Sequence, residues 1–137
     1  MFIHKKDGKN NVSNFVKIGA LLIHAAKIDE NYALEEEIII KKTLLSLGAD
    51  ENELEKILNE SKKIEENSNQ ILEFTKEIKN LEKVDKINIV KSLWRIIYSN
   101  KDADIYETNL MRRLTGLLYI DSKIMGDIKE EIKSENS

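Results

Sequence analysis

Acidic side chains gather around two short polar turns of the sequence, and carboxylate oxygens are the donors that hard divalent cations prefer. Each turn follows a mostly apolar stretch and precedes an amphipathic one, at 21–47 and again at 93–118. When Asp29 is aligned with Asn100, an acidic residue lies seven positions further on in both copies. The candidate ligands for calcium, magnesium or manganese are Asp29, Glu35, Glu36, Asn100, Asp102, Asp104 and Glu107.

The same carboxylates also have a structural interpretation. Asp104 and Glu107 have the spacing of a helix N-cap and its partner at the third helical position. Glu36 occupies the corresponding position in the first copy, but Ala33 stands where Asp104 does and cannot cap. Helix capping is favoured for the set as a whole, and a metal site is the alternative. An EF-hand is excluded because the sequence has no Asp-x-Asp-x-Asp-Gly loop.

Apolar residues at helical spacing predict the elements that position the two turns. Proline is absent and the chain has 5 glycines, so few positions interrupt a helix. The pattern predicts an all-α fold of about seven helices in a compact bundle, with short connections that favour antiparallel neighbours. The helices around each turn form two pseudo-repeated helical hairpins, whose turns could face the same end of the bundle. The first helix is apolar on several sides, which is typical of a central helix.

Length and composition indicate one domain and exclude several classes of chemistry. A chain of 137 residues can bury a single core. We predict a flexible N-terminal tail at 1–10, a helical domain at 11–133 and a frayed C-terminus at 134–137. The absence of cysteine excludes disulfides, thiolate catalysis and cysteine-based metal sites. No nucleophile elbow or phosphate-binding glycine loop is present, so we expect no enzymatic activity.

The net charge and the hydropathy of the chain argue against nucleic acid and the membrane interior as its partners. A net charge of -3 gives nucleic acid little general attraction, so we expect no nucleic-acid binding. No apolar run approaches the ~20 residues that a transmembrane helix needs, and no signal-peptide core follows the N-terminus. We therefore expect a cytoplasmic protein without a transmembrane segment.

Single side chains also carry predictions. Asp50 and Glu53 have the spacing of a capping box. His24 and Trp94 lie on apolar faces, where we expect a buried, satisfied imidazole and a buried indole whose N–H is bonded to a carbonyl. The three arginines could bind an anion, but the favoured interpretation is that one reaches Glu107 across the hairpin while the others face solvent; they are Arg95, Arg112 and Arg113.

The segment LWRIIYSNKDADIYETNLMRRLTGLLYID, with QILEFTKEIKNLEKVDKINIVKSLW leading into it, resembles the TerB family, which is named for tellurite resistance. The resemblance extends over about 15–121. The family pattern is an apolar helix, an Asp-Gly turn and an acidic residue at the start of the next helix, in both halves. The first copy here keeps Asp29, Glu35 and Glu36, with Glu30 where glycine is usual. The second copy has Asn100 and Lys101 in place of Asp-Gly and keeps Tyr106, Glu107, Arg112 and Arg113.

The resemblance implies an all-helical fold, an acidic surface that chelates a metal ion, and a place in bacterial responses to oxyanions and other stresses. Related domains occur beside J-domain co-chaperones. We interpret the chain as a non-enzymatic binding or adaptor module of a tellurite-type stress response, with a divalent cation held at the two turns and a protein partner. One alternative is a metal-free protein-interaction domain, as a scaffold or with a co-chaperone. The other is a metal-dependent hydrolase, which would need an open cleft with a bindable water.

Overall fold

Helices joined by short turns make up the structure, a computed structural model that describes residues 8–27, 34–68, 71–99 and 105–135. Side chains are described from Val12 onward in the first range and from Asn109 onward in the last. These residues form α1 (Gly8–Lys27), α2 (Leu34–Ser46), α3 (Leu54–Asn67), α4 (Leu72–Ile78), α5 (Lys83–Tyr98), α6 (Ile105–Leu117) and α7 (Ser122–Glu135). A 3-10 turn at Glu51–Glu53 precedes α3, and the described ranges contain no strand. The predicted all-α fold of about seven helices is confirmed.

The first helix lies at the centre of the bundle, as its apolar sides predicted. α1 packs against α2, α3, α4 and α5. Side chains on several sides of α1 are buried in the core. Those that are almost fully buried include Ile18, Leu21, Leu22, Ile23, Ala25 and Ala26. A helix covered on so many sides fixes the positions of the helices that pack on it.

A glycine allows α1 and α3 to approach closely. Ser61 Oγ of α3 lies 2.9 Å from the Val16 carbonyl oxygen of α1 and 2.8 Å from the Ile57 carbonyl oxygen of its own helix, and it donates to these two acceptors. A Cβ atom at Gly19 would overlap the Ser61 hydroxyl. The absence of a side chain at Gly19 therefore makes room for the hydrogen bond between the two helices.

The first and the last described helix reach Gly8 and Glu135, and the predicted domain boundaries stay predictions. α1 begins at Gly8, inside the segment 1–10 that we predicted as a tail. α7 continues through Glu135, although fraying was predicted from 134 onward. Arg95 of α5 donates from its guanidinium to both Glu135 oxygens at 3.1 Å, and this pair fastens the last turn of α7 to α5. None of the described helices is long and apolar enough to cross a bilayer.

Three local predictions are corrected by the side-chain geometry. Asp50 caps the 3-10 turn, accepting from the backbone N–H of Asn52 at 2.9 Å, and does not open α3 directly with a capping box. His24 is half-buried rather than enclosed, with Nδ1 3.2 Å from Glu65 Oε2. Trp94 is buried as predicted, but its indole N–H has no acceptor among the described residues. Periodicity identifies the buried face of a helix and does not specify the hydrogen-bond partners on it.

Candidate binding site at the junction of α2 and α5

A buried carboxylate joins the start of α2 to the end of α5. Glu36, in the first turn of α2, is 1% exposed. Ser99 Oγ, directly after α5, lies 3.3 Å from Glu36 Oε2 and 2.6 Å from the Ile96 carbonyl oxygen. The single hydroxyl proton can be shared between these two acceptors. This contact brings together the ends of the helices that flank the two predicted turns, because Leu34 follows the first turn in sequence and Asn100 opens the second.

Further polar pairs continue along the same interface. Thr43 Oγ1 of α2 is hydrogen-bonded to Ser92 Oγ of α5. Asn88 Nδ2 donates to Ser46 Oγ at 2.9 Å. We call this row the polar seam, and its members are Glu36, Thr43, Ser46, Asn88, Ser92 and Ser99.

The polar seam has a heptad spacing. Thr43 lies seven residues after Glu36, and Ser99 lies seven residues after Ser92. Seven residues are close to two helical turns, so each pair recurs on the same side of its helix. Since the partners run in opposite directions along the chain, α2 and α5 pack antiparallel, and the two pairs set their register.

Consecutive glutamates at the start of α2 face in different directions. Successive helical residues are rotated by about 100°, so one of three adjacent side chains can be buried while the others reach the surface. Glu35 is exposed, and Glu37 forms ion pairs with Lys62 at 3.3 Å and Lys41 at 3.8 Å. All three carboxylates lie in the first helical turn, where the macrodipole favours negative charge. The sequence of α2 therefore directs only Glu36 of the three into the junction.

A groove of about 390 Å³ runs beside the polar seam. Its lining includes Ile39 and four polar residues of the two helices, and its charged lining residues are the cations Lys42 and Arg95. The hydrogen bonds that Arg95 donates to the Glu135 carboxylate raise the pKa of Arg95 above its ordinary value. Among the described residues, the lining of this groove contains no carboxylate, unlike the acidic cleft that a metal-dependent hydrolase would need.

The predicted metal ligands are only partly within the described residues. Asp29, Asn100, Asp102 and Asp104 lie outside them, and Glu107 belongs to α6 with its side chain outside them. Of the set, the structure places Glu35 at the surface and Glu36 in the junction. The described residues contain no group of three or more acidic or histidine side chains that could hold a metal ion. The metal site stays a prediction.

The three arginines differ in their exposure and in their contacts. Arg112 and Arg113 of α6 are exposed, as predicted. Arg95 was predicted to reach Glu107, whose side chain is not described, and the structure pairs it with Glu135.

The sequence analysis missed the serines and threonine of the polar seam. Ser92, Ser99 and Thr43 are common residue types, and none of them stands out in composition or charge. The signal that could have identified them is the shared interval of seven residues on two helices of opposite direction. Such a signal can be recognised only when the pairing of the two helices is already known.

Comparison with known proteins identifies a family. A family model described as tellurite resistance protein TerB matches residues 16–130. The matched range includes all of α2 and α5 and therefore the whole polar seam. Neither the curated proteins nor the solved structures that were compared with the chain gave a match.

Proposed function

The chain belongs to the TerB family of tellurite resistance proteins, and on this basis we propose that it is a non-enzymatic binding module of a bacterial stress response that takes up a divalent cation where α2 begins and α5 ends. The observation that carries the proposal is the burial of the Glu36 carboxylate at 1% exposure, in contact with Ser99. It supports a functional use of Glu36 because an exposed capping residue would serve the helix equally well.

Burial makes the Glu36 charge costly unless nearby groups compensate it. The N-terminal end of α2 and the Ser99 hydroxyl are among the groups that compensate it. A divalent cation is suited to bind a carboxylate in this position, since calcium, magnesium and manganese all accept carboxylate oxygens. Glu36 would hold the cation together with the other donors predicted from the sequence, Asp29, Asn100, Asp102, Asp104 and Glu107. The bound charge would stabilise the contact between the two hairpins.

The test is thermal unfolding of the chelator-treated protein with and without calcium, magnesium or manganese. A cation that binds only the folded state at one hundred times its Kd adds about 2.7 kcal/mol, which corresponds to a rise in Tm of roughly 10 °C for a domain of this size. Glu36→Gln keeps the shape of the side chain and removes its charge. We expect this variant to be at least as stable as the parent without metal and to lose the rise in Tm.

The matched control is Glu60→Gln, which removes the same charge from an exposed position on α3. This variant should keep the full response to the cation. A parent protein whose Tm does not respond to any of the three cations would contradict the metal proposal. An equal response in Glu36→Gln and in the parent would show that Glu36 is not a ligand.

A second candidate function is a metal-free protein-interaction domain, and the outer face of α2 favours it. Leu34, Ile38 and Leu45 are exposed by 72%, 44% and 39%, and their spacing places them within one narrow stripe of the helix. Such a row of exposed apolar side chains is typical of a contact surface. The protein partner, the lack of nucleic-acid binding and the cytoplasmic location stay predictions from the sequence.

A further inference from the structure

Tyr119 has a backbone conformation that disfavours its own side chain. It follows α6 with φ of 57°, in the left-handed region. The Tyr119 N–H donates to the Gly116 carbonyl oxygen at 3.2 Å, and the Ile120 N–H donates to the Thr115 carbonyl oxygen at 3.0 Å. These two bonds form a Schellman motif, in which glycine usually occupies the position of Tyr119. The tyrosine side chain is also 69% exposed, so burial does not compensate the unfavourable backbone.

Two hollows adjoin Tyr119. One of about 280 Å³ has an apolar part in its lining that includes Leu81 and Ile124. The other, of about 370 Å³, is lined by Leu72 and Leu117 among others. Tyr119 lines both hollows and therefore forms the ridge between them. We call this surface the Tyr119 corner; its members used below are Leu72, Lys76, Lys79, Lys83, Lys86 and Tyr119.

The Tyr119 corner is positively charged although the whole chain carries a net charge of -3. Lys76 and Lys79 line one hollow, and Lys83 and Lys86 line the other. Lys76, Lys79 and Lys83 form no ion pair within the described parts of the chain. The Lys79 ammonium lies 5.4 Å from the centroid of the Tyr119 ring, within the range of a cation–π contact.

The fourth lysine is held in place by backbone carbonyls. Lys86 Nζ donates to the Lys79 carbonyl oxygen at 3.1 Å and to the Leu118 carbonyl oxygen at 2.9 Å. Carbonyls at helix C-termini carry partial negative charge, so the ammonium connects the ends of α4 and α6. One carboxylate, Asp121, lines this hollow, and its Oδ1 accepts from the backbone N–H of Lys123 at 2.7 Å.

We propose that the Tyr119 corner docks an acidic segment of a partner protein that also carries apolar side chains. Leucine or phenylalanine side chains would fill the two hollows, and the Tyr119 ring would pack between them. Aspartate or glutamate side chains would pair with Lys76, Lys79 and Lys83. Charge complementarity selects this partner, because unpaired lysines surround apolar hollows on an otherwise acidic protein.

This inference rests on the adaptor role within the proposed function and names the surface that performs it. The cation would bind at the other end of the bundle. α5 begins with Lys83 at the Tyr119 corner and ends beside Ser99, and its 16 residues span about 24 Å. A peptide titration in the presence of a chelator therefore tests the corner alone, and the metal experiment tests Glu36 alone.

The experiment measures fluorescence anisotropy of a fluorescein-labelled helical peptide that has a stripe of leucine and phenylalanine flanked by glutamates on the same face. We expect saturable binding to the chelator-treated protein. Tyr119→Gly should weaken binding at least tenfold while Tm stays equal or rises, because glycine suits the left-handed position. Loss of binding by this variant could therefore not be attributed to unfolding.

A charge variant and its control complete the design. Lys79→Gln with Lys83→Gln should weaken binding at least fivefold and reduce its dependence on salt. Lys56→Gln with Lys63→Gln removes the same charge from exposed positions on α3 and should bind as the parent does.

Four results would overturn the proposal. The first is that the peptide does not bind the parent protein. The second is that Tyr119→Gly binds it as tightly as the parent does. The third is that polyglutamate binds equally well, which would show a charge effect without a role for the hollows. The fourth is that phosphatidylglycerol vesicles bind through Tyr119 and the peptide does not, which would identify a membrane surface as the occupant.

Discussion

Trp94 illustrates, at the scale of a residue, how packing can outweigh an unmade hydrogen bond. It is 3% exposed, and its ring stacks on Tyr98 with centroids 5.7 Å apart. Lys129 Nζ lies over the indole ring, 5.4 Å from its centroid. The buried indole N–H has no acceptor within the described residues, and such a donor costs about 1–3 kcal/mol. The burial of the Trp94 ring therefore stabilises the fold by more than the unmatched indole N–H costs.

Replacing Trp94 separates these two contributions. Trp94→Phe removes part of the buried area together with the unmatched donor, so we expect a change in the free energy of unfolding within about 1 kcal/mol. Trp94→Ala removes the ring and leaves a cavity, and it should cost about 3–5 kcal/mol. Urea unfolding followed by circular dichroism measures both variants. A cost above about 3 kcal/mol for Trp94→Phe would show that the indole N–H is satisfied in solution.

The sequence predicted the burial of Trp94 and not its partners. An apolar interval of three or four residues indicates the face of a helix. Whether an acceptor lies opposite the indole depends on the register of the neighbouring helix, which the interval does not contain. Glu36 shows the same division. Its place at a helix start was evident from the sequence, but its burial and its contact with Ser99 depend on the packing of two distant helices.

At the scale of the elements, the contact between α1 and α3 depends on one absent side chain. Gly19 lies against Ser61, whose hydroxyl donates to the Val16 carbonyl oxygen. A larger residue would push α3 away from the central helix or break this hydrogen bond.

Two alanine substitutions should have opposite effects. Gly19→Ala should lower the free energy of unfolding by about 1–3 kcal/mol, because its Cβ would overlap Ser61 Oγ. Gly126→Ala, in an exposed part of α7 with nothing near the new Cβ, should raise it by about 0.5–1 kcal/mol. Chemical denaturation measures both changes. Stabilisation by Gly19→Ala would contradict the close approach of α1 and α3.

The existence of the helices could be predicted because each has apolar residues at helical intervals, such as Phe74 and Ile78 in α4. Helix ends were harder to predict. The last turn of α7 contacts an arginine forty residues earlier in the chain, and no local signal near Glu135 indicates this contact. The polar seam was beyond prediction for the same reason, since its pairs join residues 42 to 63 positions apart.

At the scale of the whole molecule, ion pairs between side chains at the surface connect the helices to one another. Lys17 of α1 pairs with Glu77 of α4, and Lys27 of α1 pairs with Glu65 of α3. The pair of Arg95 and Glu135 joins α5 to α7. Exposed pairs of this kind contribute at most about 1 kcal/mol each, so they adjust stability without determining the fold.

The Arg95 pair gives a prediction about acid. The hydrogen bond from Arg95 lowers the pKa of Glu135 below its ordinary value of 4.5. A carboxyl with a lowered pKa in the folded state stabilises the protein above the ordinary pKa, and this contribution is lost as the pH falls through the folded-state pKa. Glu135→Gln should therefore reduce the free energy of unfolding by up to about 1 kcal/mol at pH 7, with a difference that shrinks below pH 4.5.

Urea unfolding at several pH values measures this difference, and Glu66→Gln is the control, because Glu66 is exposed and shows no ion pair with a described residue. The control should match the parent at every pH. A deficit of Glu135→Gln that stays constant down to acid pH would contradict the assigned ion pair.

The central position of α1 also has a consequence for the order in which the protein is made. α1 is the first described helix to be synthesised, and the helices that cover it include α3, α4 and α5. Ribosomes add about 5–20 residues per second, so the roughly 70 residues from the end of α1 to the end of α5 need several seconds. During that time the helix with many of the most deeply buried side chains has few of its final neighbours. Until α5 has been synthesised, the apolar side chains of α1 in the nascent chain must therefore avoid non-native contacts.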